Sequence, residues 1–171
     1  MAADVLVVYA SKHGSTEQVA RKVAEKLRDA GYTTRVEQAR AVKDLEGCGA
    51  VALGGSLYMG RWHHDARTFL RRHRKELRSL PFAAFALGPG ENTEKAFAES
   101  RRQLDHALER FSDLDPRAVA VFGGVVDPRQ FHFPLSRMAE RDLRDWDEIR
   151  AWARELPGEL ELLPREVRLT A

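Results

Sequence analysis

A single cysteine, Cys48, in a chain of 171 residues excludes an internal disulfide and any metal site built from several thiolates. It lies just ahead of an apolar strand in Gly47-Cys48-Gly49-Ala50 and reads as a small packing residue rather than a redox thiol. Neither CxxC nor HExxH is present, and the adjacent His63 and His64 point in different directions, so His13, His63, His64, His73, His106 and His132 form no convincing metal set. No apolar run approaches the ~20 residues of a membrane span. The N-terminus enters a strand almost at once, without the basic-then-apolar profile of a signal peptide, which points to the cytoplasm. Charge of one sign barely dominates: 28 Lys and Arg stand against 26 Asp and Glu, a net charge of +2. The basic residues have no aromatic stacking platform among them, which disfavours nucleic acid as a partner. Low-complexity linkers and internal repeats are also missing. The composition, 43% hydrophobic and 32% charged, suits one globular domain. At this length a domain buries roughly two-thirds of the surface its unfolded form exposes.

The most informative stretch is VLVVYASKHGSTEQVARKV, residues 5–23. Val5, Leu6, Val7, Val8 and Tyr9 read as a buried strand, and Val19, Val23 and Leu27 recur on one face of a following helix. Between them lies a turn of small and polar residues. The first N–H groups of a helix have no intrahelical partner, and the macrodipole places partial positive charge there, so such a turn cradles a phosphate. Ser11, Ser15 and Thr16 can add hydroxyl hydrogen bonds, Gly14 lets the backbone close on the anion, and Ser15 with Gln18 reads as a capping box. The turn lacks both Gly-Lys-Ser/Thr and GxGxxG spacing, which disfavours nucleoside triphosphates and NAD.

Strand and helix patterns alternate from there on. Strands are expected at residues 33–36, 50–53, 82–87 and 119–122, with helices at 16–30, 65–77, 93–111 and 146–156. A short helix or turn is expected at 42–45. Gly54-Gly55-Ser56 is taken to end the third strand, and Pro157-Gly158 the last helix. Short, uniformly apolar strands separated by helices imply an α/β fold, a five-stranded doubly wound parallel sheet with helices on both faces. Residues 1–158 form its single domain, and 159–171 are a C-terminal tail outside the pattern. Ligands bind at the carboxyl edge of such a sheet, where the strand order switches. Three small-residue loops leave that edge: 11–16, 54–60 and 88–92.

The run Val7-Val8-Tyr9-Ala10-Ser11, then Gly14, Thr16, Ala20 and Val23, resembles the flavodoxin signature that wraps the FMN 5′-phosphate. The resemblance implies a flavodoxin-like fold with FMN as cofactor. It places the phosphate on Ser11, Lys12, His13, Gly14, Ser15 and Thr16. The isoalloxazine lies between Ser56, Leu57, Tyr58, Met59 and Gly60 on one side and Gly88, Pro89, Gly90, Glu91 and Asn92 on the other. Tyr58 and Trp62 offer ring faces, although Tyr58 and Met59 also suit packing of the loop onto the sheet. Asn92 or Thr93 suits a helix cap. No side-chain nucleophile is implied, because the flavin carries the chemistry.

A narrower resemblance lies in Gly54-Gly55-Ser56-Leu57-Tyr58-Met59-Gly60-Arg61-Trp62-His63, in Phe122-Gly123-Gly124-Val125-Val126-Asp127-Pro128 and in Asp145-Trp146-Asp147-Glu148-Ile149. These are similar to the menaquinone-dependent protoporphyrinogen IX dehydrogenase family, whose members carry an added segment where residues 127–144 stand here. That family implies an FMN-dependent oxidoreductase removing hydrogen from a tetrapyrrole and passing electrons to a membrane quinone. Within the added segment Arg129, Phe131, His132 and Phe133 suit a carboxylated aromatic substrate, or a loop clamped onto the core. Arg61, Arg67, Arg71, Arg72, Arg74, Lys75 and Arg78 give the helix before the fourth strand a cationic face. That face is either simply solvated or a means of peripheral docking to an anionic partner such as the inner face of a membrane. Two other readings share the pattern: an electron-carrier flavodoxin without its own substrate, and a flavin-free interaction domain. Carriers are generally acidic, whereas the pI here is about 8.8.

Overall fold

The computed structural model describes residues 3–130, 132–137 and 139–163. Five parallel strands form the sheet in the order β2-β1-β3-β5-β6: β1 (Ala3–Ala10), β2 (Thr34–Gln38), β3 (Cys48–Tyr58), β5 (Phe82–Leu87) and β6 (Ala118–Phe122). A two-residue strand, β4 (Arg61–Trp62), pairs antiparallel with the end of β3. The reason that β1 reads as an unbroken apolar run is plain in its packing. Leu6, Val8 and Ala10 face one helical layer, while Val5 and Val7 face the other.

Helices α1 (Ser15–Asp29) and α5 (Trp146–Glu159) bring Val19, Val23, Leu27, Ile149, Ala153 and Leu156 onto one face. Helices α2 (His64–Arg72), α3 (Arg74–Leu77) and α4 (Glu94–Glu109) cover the other with Phe69, Leu70, Leu77 and Leu104. The fold is therefore α/β and doubly wound, and its strand order reverses between β1 and β3. That reversal opens a crevice above the carboxyl ends of these two strands.

Four local expectations need correction. Strand β3 does not stop at Leu53: Gly54 and Gly55 stay in register with Phe85 and Ala86 of β5, and the strand runs on to Tyr58. The glycines make room rather than turn the chain. The turn comes later, at Met59 (φ 51°) and Gly60 (φ 75°), as in the two-residue hairpins that need positive φ at both positions. The basic helix is interrupted at His73 (φ −105°, ψ 18°), where a buried imidazole packs on Phe69. The bonds His73 N–H to Phe69 O and Leu77 N–H to His73 O survive, so this is a kink and not an end. Helix α5 continues through Pro157, because one further turn places Leu160 fully inside the core. Residues 42–45 are irregular, anchored by the buried Val42 and Leu45.

After β6 the chain forms a short antiparallel pair, β7 (Val125–Val126) and β8 (Arg141–Asp142), at the two ends of the added segment. This hairpin lies against the carboxyl edge of the sheet, where Leu143 N–H donates to Gly124 O at 3.0 Å.

Candidate functional site

The first loop leaves β1 at Ala10 and enters α1 at Ser15. Ser11 Oγ accepts from the Gly14 N–H at 2.8 Å, which folds residues 11–14 into a tight turn. Gly14, with φ 89°, is the N-cap; this left-handed conformation suits glycine. The capping box expected of Ser15 and Gln18 is not formed. Ser15 is already the first helical residue, no side chain caps the helix, and Gln18 Oε1 accepts instead from Arg144 Nη1 at 2.6 Å. The opening amides of α1 are thus left without a side-chain partner. Thr16 is fully buried, and its Oγ1 has no hydrogen-bond partner at all. An unsatisfied buried hydroxyl costs about 1–3 kcal/mol.

A cleft of about 520 Å³ opens beside this loop. Ser11, Lys12, His13 and Ser15 line one wall, and Ser56, Leu57 and Tyr58 from the end of β3 line the other. Tyr58 is 55% exposed, and Lys12 Nζ lies 5.5 Å from its ring centroid across the mouth. Trp62 was expected to offer a ring face. It is 1% exposed, and its Nε1–H donates to Gly55 O at 3.0 Å, so the indole belongs to the core and only borders the cleft. Arg61, His63, His64 and Arg67 extend the same wall along the start of α2. Arg67 Nε donates to Trp62 O at 3.0 Å, and His63 Nδ1 accepts from Asp65 N–H at 3.1 Å as the cap of α2. Burial pushes the pKa of His63 down.

The third loop lies elsewhere. Gly88, Pro89, Gly90 and Glu91 line a second hollow of about 380 Å³ with Met59 and Gly60, and Leu57 is the wall between the two hollows. The β7–β8 hairpin covers this loop: Gly124 N–H donates to Pro89 O at 3.0 Å, and a Cβ on Gly90 would stand 3.0 Å from Val126 Cγ2. Asn92 faces a shallow depression with residues 142–147, and Thr93 rather than Asn92 caps α4, accepting from Ala96 N–H at 3.1 Å.

Of the residues singled out in the added segment, Phe131 lies outside the described residues. Arg129 is paired with Asp127 (2.9 Å) and points to solvent, Phe133 is exposed beneath the Arg137 guanidinium, and His132 is exposed. None of these three lines the cleft. Val125, Asp127, Glu140, Asp142 and Arg144 do, none of which the sequence marked as a site residue. The side chain of Arg144 is only 9% exposed. No local pattern announces such a residue, because its partner Gln18 is 126 positions away.

Part of the basic face is neutralised locally. Arg74 Nε (2.8 Å) and Arg78 Nε (2.7 Å) converge on Asp113, and they hold its carboxyl well below the usual carboxylate range. Arg40 pairs with Asp65 at 3.1 Å. Among the described residues no group of His, Cys, Asp or Glu could hold a metal ion, and no helix is long and apolar enough to cross a membrane.

A doubly wound sheet in this order, with an uncapped helix N-terminus and a cleft at the β1/β3 switch, defines a flavodoxin-type α/β domain. The family model described as Flavodoxin domain matches residues 6–139, and the chain belongs to that family. Among curated proteins it is similar to "Protoporphyrinogen IX dehydrogenase [quinone]" of Escherichia coli (strain K12), 22% identical over 172 residues, covering 88% of this chain and 93% of that enzyme. Among solved structures, a flavodoxin from the domain Archaea superposes with a TM-score of 0.60 at 16% identity, over 92% of this chain and 98% of that one. Flavodoxin 1 from Bacillus cereus gives 0.59 at 15%, over 93% and 98%. The rubredoxin oxygen:oxidoreductase of Desulfovibrio gigas gives 0.59 at 20%. It matches 98% of this chain, which spans only 37% of that longer protein.

Proposed function

We propose that the chain binds FMN and works as an oxidoreductase of the protoporphyrinogen dehydrogenase type, passing electrons to a quinone. The observation that carries the cofactor is the first loop. An uncapped α1, a left-handed Gly14 and the orphaned, buried Thr16 Oγ1 together suit a phosphate, which would satisfy both the amides and the hydroxyl. Ser11, Lys12, His13, Gly14, Ser15 and Thr16 would hold that end. Ser56, Leu57 and Tyr58 would border the ring in the main cleft, with Met59 and Gly60 at the hairpin tip. Gly88, Pro89, Gly90, Glu91 and Asn92 would meet its far edge, but only past Leu57 and the β7–β8 cover.

Bound FMN would supply the uptake and release of hydrogen and electrons, which no side chain in the cleft provides. The chain's own residues orient and exclude. Tyr58 screens the mouth, Leu57 supplies an apolar wall, and Arg61 and Arg67 place guanidinium groups where a substrate carboxylate could pair. The similarity to the Escherichia coli enzyme over 88% of this chain supports a tetrapyrrole substrate and a quinone acceptor.

The test is a spectrum of the purified chain followed by an assay with protoporphyrinogen and a menaquinone analogue. Flavin absorbance that acid releases as FMN, with quinone-dependent oxidation of the tetrapyrrole, is the expected result. Flavin with one-electron exchange alone would make the chain a carrier. A colourless protein that takes up no FMN would make it an interaction domain.

A further inference from the structure

We infer that Arg144 makes the anion cradle selective for a phosphorylated flavin, discriminating FMN from riboflavin by a fixed positive charge brought in from the β7–β8 segment. The inference rests on the FMN reading above and adds to the loop, beside Lys12, a cationic side chain that comes from a distant part of the chain.

Arg144 follows β8 and reaches across to the first turn of α1. Its Nη1 donates to Gln18 Oε1 at 2.6 Å and to Ser15 O at 3.3 Å, while Nε (2.9 Å) and Nη2 (2.7 Å) donate to the two oxygens of Asp142. The guanidinium lies 4.8 Å from the ring centroid of Trp146, and its side chain is 9% exposed. Five N–H groups are available on a guanidinium, and these four bonds leave one, on Nη2, free. Arg144 lines the same cleft as Ser11 and Ser15. Lys12, the cation of the loop itself, is turned over Tyr58 at the mouth, and Arg61 and Arg67 stand on the opposite wall.

This placement opposes ordinary helix electrostatics. The N-terminus of α1 carries the positive end of its macrodipole, and a buried guanidinium beside it is repelled. Asp142 offsets part of that charge, but its side chain is 48% exposed and serves one guanidinium only. The buried Thr16 Oγ1 without a partner is an independent sign that this corner is built for an acceptor. A phosphate dianion answers all three features at once: the amides, the hydroxyl and the permanent charge of arginine.

The experiment is a pair of fluorescence titrations, with FMN and with riboflavin, on the full chain and on R144Q, R144K and D142N. Wild type should prefer FMN. R144Q should lose on the order of tenfold or more in FMN affinity while its riboflavin affinity stays within about twofold. R144K should recover part of the loss. D142N, which removes the competing carboxylate, should tighten FMN and leave riboflavin unchanged. Equal losses for both flavins in R144Q would show a packing role and overturn the inference, as would unchanged FMN affinity. If R144Q does not fold, D142N decides alone, and a failure to tighten FMN overturns it. A wild type that prefers FMN, with R144Q keeping that preference, defeats the inference and spares the cofactor reading; wild type binding both flavins equally, or neither, defeats both.

Discussion

A β-carbon added to Gly54 would stand 2.0 Å from Cζ of Phe85, with two more ring atoms of Phe85 inside 2.7 Å. Phe85 cannot withdraw, because its ring is held by Phe122 at 6.1 Å and by Trp152 at 5.6 Å. Gly54→Ala is therefore expected to destabilise the fold by roughly 1–3 kcal/mol, the usual cost of overpacking. Urea denaturation should show a lower midpoint, and Phe85→Leu placed on the same chain should return part of the loss.

That contact also explains what was legible in the sequence. Strand β5 is apolar on both faces and has no glycine, so its bounds, Phe82–Leu87, were plain. Strand β3 carries the same role with Gly54 and Gly55 inside it, and glycine ordinarily signals a break. Its extension to Tyr58 depends on Phe85 and Trp62 occupying the space of absent side chains, which no local pattern reveals. The same cause misplaced Trp62, whose ring beside a glycine run resembles a stacking platform and is core instead. The first loop stands out in the sequence as a candidate anion cradle because its hydroxyls and glycine are contiguous, and the uncapped start of α1 suits that reading. Its wrong detail, the capping box, failed because Gly14 takes the cap position and Arg144 takes Gln18.

Thr16 separates stability from binding. Its Oγ1 is buried without a partner, so Thr16→Val, which keeps the shape, should raise stability, measured without added flavin, by about 1 kcal/mol. The same change should weaken FMN by ~1–2 kcal/mol, since a charge-assisted bond to the phosphate is lost. Denaturation midpoints and FMN titrations on the same two proteins read both signs.

Tyr58 should differ from the residues proposed to hold the phosphate in affecting both flavins. Its ring, 55% exposed beside Lys12, is the aromatic surface at the mouth of the main cleft. Tyr58→Ala should weaken FMN and riboflavin alike, by about 1 kcal/mol each. Fluorescence titration with both flavins distinguishes this from a loss confined to FMN.

His73 gives the fold a pH dependence. The residue is 2% exposed, and burial pushes its pKa below the ordinary value of 6.5 despite the Val42 backbone, Glu76 and Asp44 nearby. Well above pH 6.5 neither folded nor unfolded chain binds a proton there, and its contribution is constant. As pH falls below 6.5 the unfolded chain takes up the proton first, so stability declines until the folded pKa is passed. His63 is shifted the same way and adds to the decline. His73→Leu should flatten this slope, measured as the difference in urea midpoint between pH 5.5 and 7.5, with His63 responsible for what remains.

Asp113 controls how much of the basic face is available to an anionic surface. Arg74 and Arg78 both bond its carboxylate, while Arg71 and Lys75 on the same stretch are exposed. Asp113→Asn keeps the shape, releases two guanidinium groups and adds one positive charge to the face. The chain should co-sediment with vesicles of anionic lipid at low salt, and D113N should do so more completely. Binding of both should vanish near 1 M salt, where the screening length falls to about 3 Å. Neutralising Arg71 and Lys75 together should abolish binding in wild type but only reduce it in D113N, because the released Arg74 and Arg78 can replace them. A wild-type chain that ignores anionic vesicles, with a D113N variant that also ignores them, would mean that this face is only solvated and that any quinone must reach the cleft without a basic docking surface.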